Sequence, residues 1–113
     1  MADPDLAPAA VAFARNVRAD KDRLVDLYFH ARTTLVSKHI DDLGLTPMQC
    51  EALQVVIDNA LTDFGYGLLL ALDGAASLPD GSQQIYDLRT EDGQAITING
   101  HLEAAAYEAF HLG

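Results

Sequence analysis

The longest helical pattern in this 113-residue chain lies at residues 46–74 and has the sequence TPMQCEALQVVIDNALTDFGYGLLLALDG. Thr46 can accept a hydrogen bond from a first-turn backbone N–H, Pro47 suits the first helical position, and Gln49 can return a bond to the backbone of the cap. These residues predict where a helix begins. Gly74, which tolerates a left-handed backbone conformation, predicts where that helix ends.

Apolar side chains recur along this segment at spacings of three and four residues, which is the pattern of one helix face. They are Leu53, Ile57, Leu61, Phe64, Leu68 and Leu72. From Leu68 to Leu72 the segment is apolar on every side, as is typical of a helix that several neighbours cover. We therefore expect one long, mostly buried helix around which the other elements pack.

Two glycines flank Tyr66 inside this segment, and each costs a helix interior roughly 1 kcal/mol relative to alanine. The alternative is a helix that ends near Asp63 and is followed by a buried strand. Leucine and alanine, which are not β-branched, dominate the residues that follow, and they favour the continuous helix. In that helix Gly67, Ala71 and Ala75 form a stripe of small residues, which would let another backbone approach closely.

Residues 7–41 contain no glycine, and their apolar positions keep one helical phase that is missed only at Lys21. They form either one helix or two, because Asp20 or Asp22 could act as a second N-cap within a polar stretch. The acidic pair before Leu43 and Gly44 predicts the end of this region. Because the connection to the long helix is short, the two should form an antiparallel pair.

Two short segments near the C-terminus, residues 83–88 and 94–98, have the composition of strands and are joined through a turn at residues 91–93. A hairpin is marginal alone in water, so its apolar side chains should cover part of the helical core or pair across a subunit boundary. They are Ile85, Leu88, Ile96 and Ile98. A short apolar helix should then close the chain, from about Leu102 to Phe110. The predicted fold is thus a single α+β domain, helix-dominated, with an antiparallel pair of long helices, a β-hairpin and a short C-terminal helix.

Charge is unevenly distributed along the chain, whose formal net charge is −10. Residues 15–38 carry six basic and three acidic side chains, whereas residues 39–113 carry one basic and twelve acidic ones. An acidic surface repels phosphate groups, so we expect no nucleic-acid partner. The acidic part of the chain could instead steer association with a basic protein partner.

The beginning of the sequence has no basic region followed by an apolar stretch, which is the pattern of a secretory signal. The longest uninterrupted apolar run is shorter than the roughly 20 residues that a membrane span needs. We therefore expect a soluble, cytoplasmic protein with no membrane partner. Cys50 is the single cysteine, so neither an internal disulfide nor a CxxC site can form.

The sequence carries no catalytic, nucleotide-binding or metal-binding motif. No two of the four histidines have a helical spacing that would direct both to one metal, and the serines lack the context of a nucleophile elbow. Residues 87–98 lack the glycine and the glutamate that a calcium loop requires. We therefore predict no catalytic residue, no metal and no cofactor.

One cluster of polar residues is the candidate ligand site. Two acids lie in or at the end of an apolar segment, and a buried carboxylate needs a hydrogen-bonding partner or shifts its pKa. The candidates are Asp63, Tyr66, Asp73, His101 and Glu103. They would line a pocket between the long helix and the hairpin.

The leading functional hypothesis is a non-catalytic protein–protein interaction or regulatory module that forms homodimers. It is based on the apolar end of the long helix, where the candidate interface residues are Leu68, Leu69, Leu70 and Leu72. A two-fold dimer is the commonest way to cover such a surface. The alternative is a small ligand-binding protein or enzyme that uses the five polar candidates.

Overall fold

The computed structural model describes residues 5–74 and 85–112. Four α-helices make up most of this part of the chain: α1, Pro8–Asp26; α2, Leu35–Asp42; α3, Pro47–Leu72; and α4, His101–Tyr107. α1 and α4 each continue into a single π-helical turn, Leu27–Ala31 and Glu108–Leu112. Ala75 of the predicted small-residue stripe and residues 83–84 of the predicted hairpin lie outside the described residues.

The prediction of an α+β fold with a β-hairpin is wrong, because residues 5–74 and 85–112 contain no β-strand. At the expected hairpin the chain does turn back on itself, and Gly93 adopts a φ of 90° in that turn. The two sides of the turn make one isolated antiparallel bridge, between Arg89 and Ala95. The described part of the chain is therefore helical in class.

Pairing stops after this bridge because Thr97 disturbs the register. The backbone N–H groups of Ile96 and Thr97 both donate to the carbonyl of Leu88, at 2.8 and 3.4 Å. The Thr97 hydroxyl accepts the N–H of Leu88 at 2.9 Å and donates to the carbonyl of Tyr86 at 2.9 Å. A side chain thus takes the place of the backbone partners that a ladder would need.

The four apolar side chains expected to cover the helical core divide into two pairs. Ile96 is buried and Leu88 packs against the core, as predicted. Ile85 and Ile98 are exposed in the chain by itself. The turn region therefore covers the core with two of its apolar side chains.

The continuous long helix is confirmed as α3, which runs through Gly65 and Gly67 without interruption. Reciprocal bonds close its first turn. The backbone N–H of Gln49 donates to Thr46 Oγ1 at 3.2 Å, and the backbone N–H of Thr46 donates to Gln49 Oε1 at 3.0 Å. Gly74 follows the helix with a φ of 77°, the left-handed conformation expected at a helix C-terminus.

The expectation that this helix is mostly buried is wrong. Within α3, all of which is described, the buried side chains are Leu69 and Ala71. Phe64, which the sequence pattern assigns to the core face, is 71% exposed. α3 is covered on one side by the other helices and presents its opposite side to solvent.

The N-terminal segment forms two helices, but the break lies beyond the polar stretch. α1 passes through Asp20 and Asp22 without interruption. The chain breaks instead at Arg32, whose φ of 56° is left-handed. Thr34 then caps α2 by accepting the backbone N–H of Ser37 at 3.1 Å, as short hydroxyl side chains do at helix starts.

α1 and α3 pack as an antiparallel pair, as predicted. Val17 faces Gly65, and Lys21, one turn further along α1, contacts Asp58, which lies earlier in α3. One apolar cluster lies beside the N-terminal half of α3 and has Val25, Phe29 and Ile40 as its buried members. The other lies beside the C-terminal half, where α4 joins, and includes Ala10, Ala14, Leu69, Leu102 and Phe110.

Lys21, which interrupts the apolar positions of α1, forms an ion pair with Asp58 of α3. Lys21 is only 8% exposed, and its Nζ lies 2.7 Å from Asp58 Oδ1 and 2.8 Å from Asp22 Oδ1. Burial alone would raise the pKa of Asp22, but hydrogen bonds from Lys21 and Arg18 lower it below its ordinary value of 3.8. The lysine therefore belongs to the helix interface, with its charge satisfied on two sides.

The two glycines of α3 have opposite surroundings, which gives a first testable prediction. A methyl group added at Gly65 would lie 3.2 Å from Cζ of Phe110, whereas one added at Gly67 would meet nothing within 4 Å. Close approach within the chain thus occurs at Gly65 rather than at the predicted stripe. Gly67→Ala should raise the free energy of unfolding by up to about 1 kcal/mol, because alanine favours the helix.

Gly65→Ala should gain nothing or lose stability, because its methyl group must displace the ring of Phe110. Urea unfolding of both variants, at equal protein concentration, checks the difference. Equal stabilisation by the two substitutions would contradict the close packing of Phe110 on Gly65.

Candidate functional site

A row of exposed apolar side chains runs along the outer side of α3. Its members are spaced four residues apart: Met48, Ala52, Val56, Ala60, Phe64 and Leu68. All six are exposed, and Met48 reaches 80%. Residues at this spacing form a ridge inclined by about 26° to the helix axis. At 1.5 Å per residue the row is about 30 Å long, and we call it the α3 ridge.

The α3 ridge alternates large and small side chains. Ala52 and Ala60 stand between Met48, Val56 and Phe64, so a facing ridge could place its large side chains over the small ones. The neighbouring row of α3 is mixed, since Val55 shares it with acidic and amide side chains. Those polar members are Glu51, Asn59 and Asp63.

The chain exposes more surface than a compact monomer of its mass. Its accessible surface is 7349 Å² for 12.2 kDa, whereas a monomeric protein of that mass exposes about 6,000 Å². Its radius of gyration is 16.5 Å, compared with about 13 Å for a compact domain of this length. Both quantities, taken over all 113 residues, are larger than those of a compact domain.

Of the helices in residues 5–74 and 85–112, α3 is also the one that is long and apolar enough to cross a membrane. This property follows from length and composition alone, and 11% of the 18-residue stretch that meets the criterion is buried. α3 carries Glu51, Asp58 and Asp63 along its length. Asp58 is held by Lys21 of α1, whereas Asp63 is exposed beside the α3 ridge.

The four leucines predicted as the interface have different environments. Leu68 is exposed and belongs to the α3 ridge. Leu69 is buried in the chain's own core and has no surface left for a partner. Leu70 and Leu72 are half-buried, and Leu72 packs against the same core.

Sequence reasoning missed the N-terminal members of the α3 ridge, from Met48 to Ala60. A signal for them was present, because every fourth residue from Met48 to Leu68 is apolar without exception. This row lies next to the leucine-rich row on the helix surface, and the leucines gave the stronger pattern. Only packing shows which of the two rows remains uncovered.

The polar residues predicted as a ligand site do not all come together. Asp73 accepts the backbone N–H of Glu103 at 2.8 Å, which ties the end of α3 to the start of α4. His101 Nδ1 accepts the backbone N–H of Ala7 at 2.9 Å, just before α1. Asp63 is exposed on the outer side of α3. Asp73 and His101 therefore have structural hydrogen bonds at helix ends.

Tyr66 and Glu103 do share a site, which we call the Tyr66 groove. It is an open depression of about 550 Å³ between the C-terminal half of α3 and α4. Its lining residues are Tyr66, Asn99, Gly100, Glu103, Ala104, Tyr107, Glu108 and Leu112. Sequence reasoning missed Tyr107, because its position opposite Tyr66 depends on how α4 docks.

Burial raises the pKa of Tyr66 above its ordinary value of 10.0, and the negative charge of Glu103 and the phenol of Tyr107 raise it further. The Tyr66 phenol is therefore neutral at physiological pH and can donate or accept a hydrogen bond. Its ring is held by His111, with ring centroids 4.6 Å apart in an edge-to-face arrangement. Tyr107 also contacts His111, at a centroid distance of 5.3 Å.

The metal-ligating side chains of the described residues lie apart. Within residues 5–74 and 85–112, no group of three or more histidine, cysteine, aspartate or glutamate side chains could hold a metal ion. Cys50 is half-buried and lines a separate cavity of about 380 Å³ beside the end of α2. No protein-family model, curated protein or solved structure matches this chain.

Proposed function

We propose that this protein is a non-catalytic protein–protein interaction or regulatory module that works as a homodimer through the α3 ridge. The observation that carries the proposal is the unbroken row of six exposed apolar side chains. Monomeric proteins seldom leave a contiguous apolar surface of this length open to water. Covering it with protein would remove those side chains from water at a gain of about 25 cal/mol per Å².

A second copy of the chain is the occupant that fits this ridge. In a two-fold dimer the same surface meets itself, so an alternating row can interlock with its own symmetry mate. Two ridges of residues spaced by four pack at a crossing angle of about −50°. Ala60 lies close to the middle of the row, where a small side chain lets the two helix axes approach each other.

A dimer through the α3 ridge must bury enough area on each partner. A standard interface buries about 800 Å² on each partner, and the ridge, about 30 Å long, would supply part of that area. Val36 and Leu43 are also exposed in and just after α2. They lie close in sequence to the start of α3, where they could extend the interface beyond the ridge.

The polar side chains beside the α3 ridge favour contact of the ridge with protein over contact with lipid. A carboxylate such as that of Asp63 is costly inside a bilayer, whereas the rim of a protein interface is normally polar and wet. The net charge of −10 also opposes adsorption to anionic lipid. In this proposal α3 faces protein, and the protein is soluble and cytoplasmic.

Ala60→Glu tests the proposed dimer. We expect the unaltered protein to approach twice the 12.2 kDa chain mass in sedimentation equilibrium as its concentration rises. Ala60→Glu should remain at the mass of one chain, because it buries two carboxylates near the two-fold axis. The matched control is Ala12→Glu, the same substitution at an exposed position of α1, which should still dimerise.

Two outcomes would overturn the dimer. One is an unaltered protein that stays at the mass of one chain at millimolar concentration. The other is identical association of the Ala60→Glu and Ala12→Glu variants. Circular dichroism of both variants separates loss of association from loss of fold.

A second candidate is the ligand-binding alternative, which the Tyr66 groove supports. Two of the five predicted polar residues, Tyr66 and Glu103, line that groove, and Asp73 is attached beside it through the backbone of Glu103. Asp63 and His101 are not among its lining residues. The groove therefore supports binding of a ligand, without a group placed for catalysis.

A further inference from the structure

The Tyr66 groove and the α3 ridge lie on different sides of α3. Each residue turns an α-helix by 100°, so Tyr66 points about 160° away from Phe64 of the ridge. A partner in the groove and a second copy on the ridge can therefore bind at the same time. Binding in the groove does not depend on the proposed dimer.

Aromatic surface forms two walls of the groove. Tyr66 comes from α3 and Tyr107 from α4, and His111 contacts both rings. Tyr107 is 48% exposed, so much of its ring surface is open to a bound group. Because both rings are held by the same imidazole, the groove is largely formed before anything binds. Such preformed aromatic surface is suited to a cation, which is attracted to the face of a ring.

The charged side chains that line the groove are carboxylates. Glu103 contributes a carboxylate close enough to Tyr66 to influence its ionisation. The carboxylate of Asp73 is held beside it by the N–H of Glu103 at 2.8 Å. None of the described lining residues is basic. The groove therefore presents negative charge and two phenol oxygens to an incoming group.

We propose that the Tyr66 groove binds an arginine side chain presented by a basic protein partner. The planar guanidinium can stack on the Tyr107 ring while its N–H groups bond to the Glu103 carboxylate and the Tyr66 phenol. Lysine fits less well, because its ammonium is more strongly hydrated and cannot stack. The net charge of −10 would speed association with such a partner.

The groove is shallow and open, which favours a side chain on a protein surface over an enclosed small molecule. A drug-sized ligand needs a pocket that buries most of its surface. A single side chain needs less cover, because the surrounding residues of the partner exclude water from the contact. The partner class is therefore a protein with a positively charged surface that carries an exposed arginine.

Titration with short peptides tests this assignment. The probes are acetylated, amidated tripeptides with arginine, lysine or citrulline between two glycines, followed by ¹⁵N–¹H NMR of the protein. We expect millimolar binding of the arginine peptide, with shifts at Tyr66, Glu103 and Tyr107. The lysine peptide should bind more weakly, and the uncharged citrulline peptide should not bind measurably.

Glu103→Gln should weaken the arginine peptide about fivefold, the loss expected for one exposed ion pair of about 1 kcal/mol. Its matched control is Glu91→Gln, which removes the same charge from an exposed position outside the groove. Any effect of total charge is equal in the two variants, so their difference reports the local contact. Tyr107→Leu should weaken binding two- to fivefold by removing the stacking surface.

Equal weakening by Glu103→Gln and Glu91→Gln would overturn the site, as would shifts confined to residues outside the groove. Equal binding of the arginine and lysine peptides would overturn the choice of arginine. Tighter binding of free arginine than of the peptide would indicate a small-molecule site instead of a protein partner. The titration is repeated on Ala60→Glu, and unchanged peptide binding there separates the groove from the proposed dimer.

Discussion

Leu102→Ala is expected to lower the free energy of unfolding by about 3 kcal/mol, within the usual range of 2–5 kcal/mol for a buried leucine. Leu102 is 0% exposed and belongs to the cluster that joins α1, α3 and α4. Its neighbours there include alanines, whose side chains are too short to move into the cavity. The loss should therefore include a large cavity contribution.

Leu102→Ala should also affect binding in the Tyr66 groove, because Leu102 belongs to α4. α4 has seven residues, too few for a helix that is stable by itself, so its place depends on this buried contact. Loosening α4 would also separate the two tyrosines of the Tyr66 groove. We expect weaker binding of the arginine peptide together with the lower stability.

Leu35→Ala is the matched control for this substitution, because Leu35 is 69% exposed. It removes the same atoms from a surface position and should cost less than about 1 kcal/mol. Chemical denaturation of both variants gives the comparison. Equal losses for Leu102→Ala and Leu35→Ala would contradict the docking of α4 on α1 and α3.

Asp58→Ala is expected to lower the free energy of unfolding by about 2 kcal/mol, in the range for hydrogen bonds to charged groups. It leaves the buried ammonium of Lys21 with Asp22 as its remaining acidic contact. Part of the cost of desolvating the charge would then have no compensation. Asp58 is itself partly exposed, which keeps the expected loss below that of a fully buried pair.

The double variant Lys21→Met/Asp58→Ala should recover most of this stability. Methionine fills the space of the lysine stem without a charge, and apolar replacement of a buried pair is often neutral or stabilising. Urea unfolding of the single and double variants completes a mutant cycle. A double variant less stable than Asp58→Ala would show that Lys21 contributes through contacts other than this ion pair.

Asp20→Ala provides the control for an exposed pair. Asp20 bonds to Arg23 at 2.8 Å, and both side chains are about 60% exposed. Such a pair contributes less than about 1 kcal/mol. A similar loss for Asp20→Ala and Asp58→Ala would mean that the burial of Lys21 adds nothing.

Features set by neighbouring residues were predictable. The start of α3 depends on Thr46 and Gln49, which are three residues apart and bond to each other. The ends at Gly44 and Gly74 depend on each residue's freedom to adopt a positive φ. In each case the atoms that decide the conformation lie within one helical turn.

The missing hairpin shows that strand-like composition and a turn do not by themselves predict strand pairing. Residues 85–98 have strand-like composition and a suitable turn, yet Thr97 uses its hydroxyl where a strand would use backbone groups. Lys21 shows the same limit, because it looks like a break in the apolar face of α1 until Asp58 is placed opposite it. Both outcomes depend on partners that composition does not identify.

The candidate sites divide in the same way. Tyr66, Glu103 and Leu68 could be identified as candidates from the sequence. The first two are polar residues in or near apolar segments, and Leu68 lies at the apolar end of the long helix. Tyr107 and Ala60 could not be identified, because their role depends on which surfaces face each other. Leu69, adjacent to Leu68, became core instead of surface for the same reason.

By itself the amino-acid order determined that α3 is a long apolar helix, where it starts and stops, and that α1 lies antiparallel to it. It did not determine which side of α3 is covered, because both rows of apolar residues satisfy a helical period. Only the tertiary structure decided that question. In the described residues, α1, α2 and α4 are too few and too short to surround a 26-residue helix, so one of its apolar rows stays exposed to solvent.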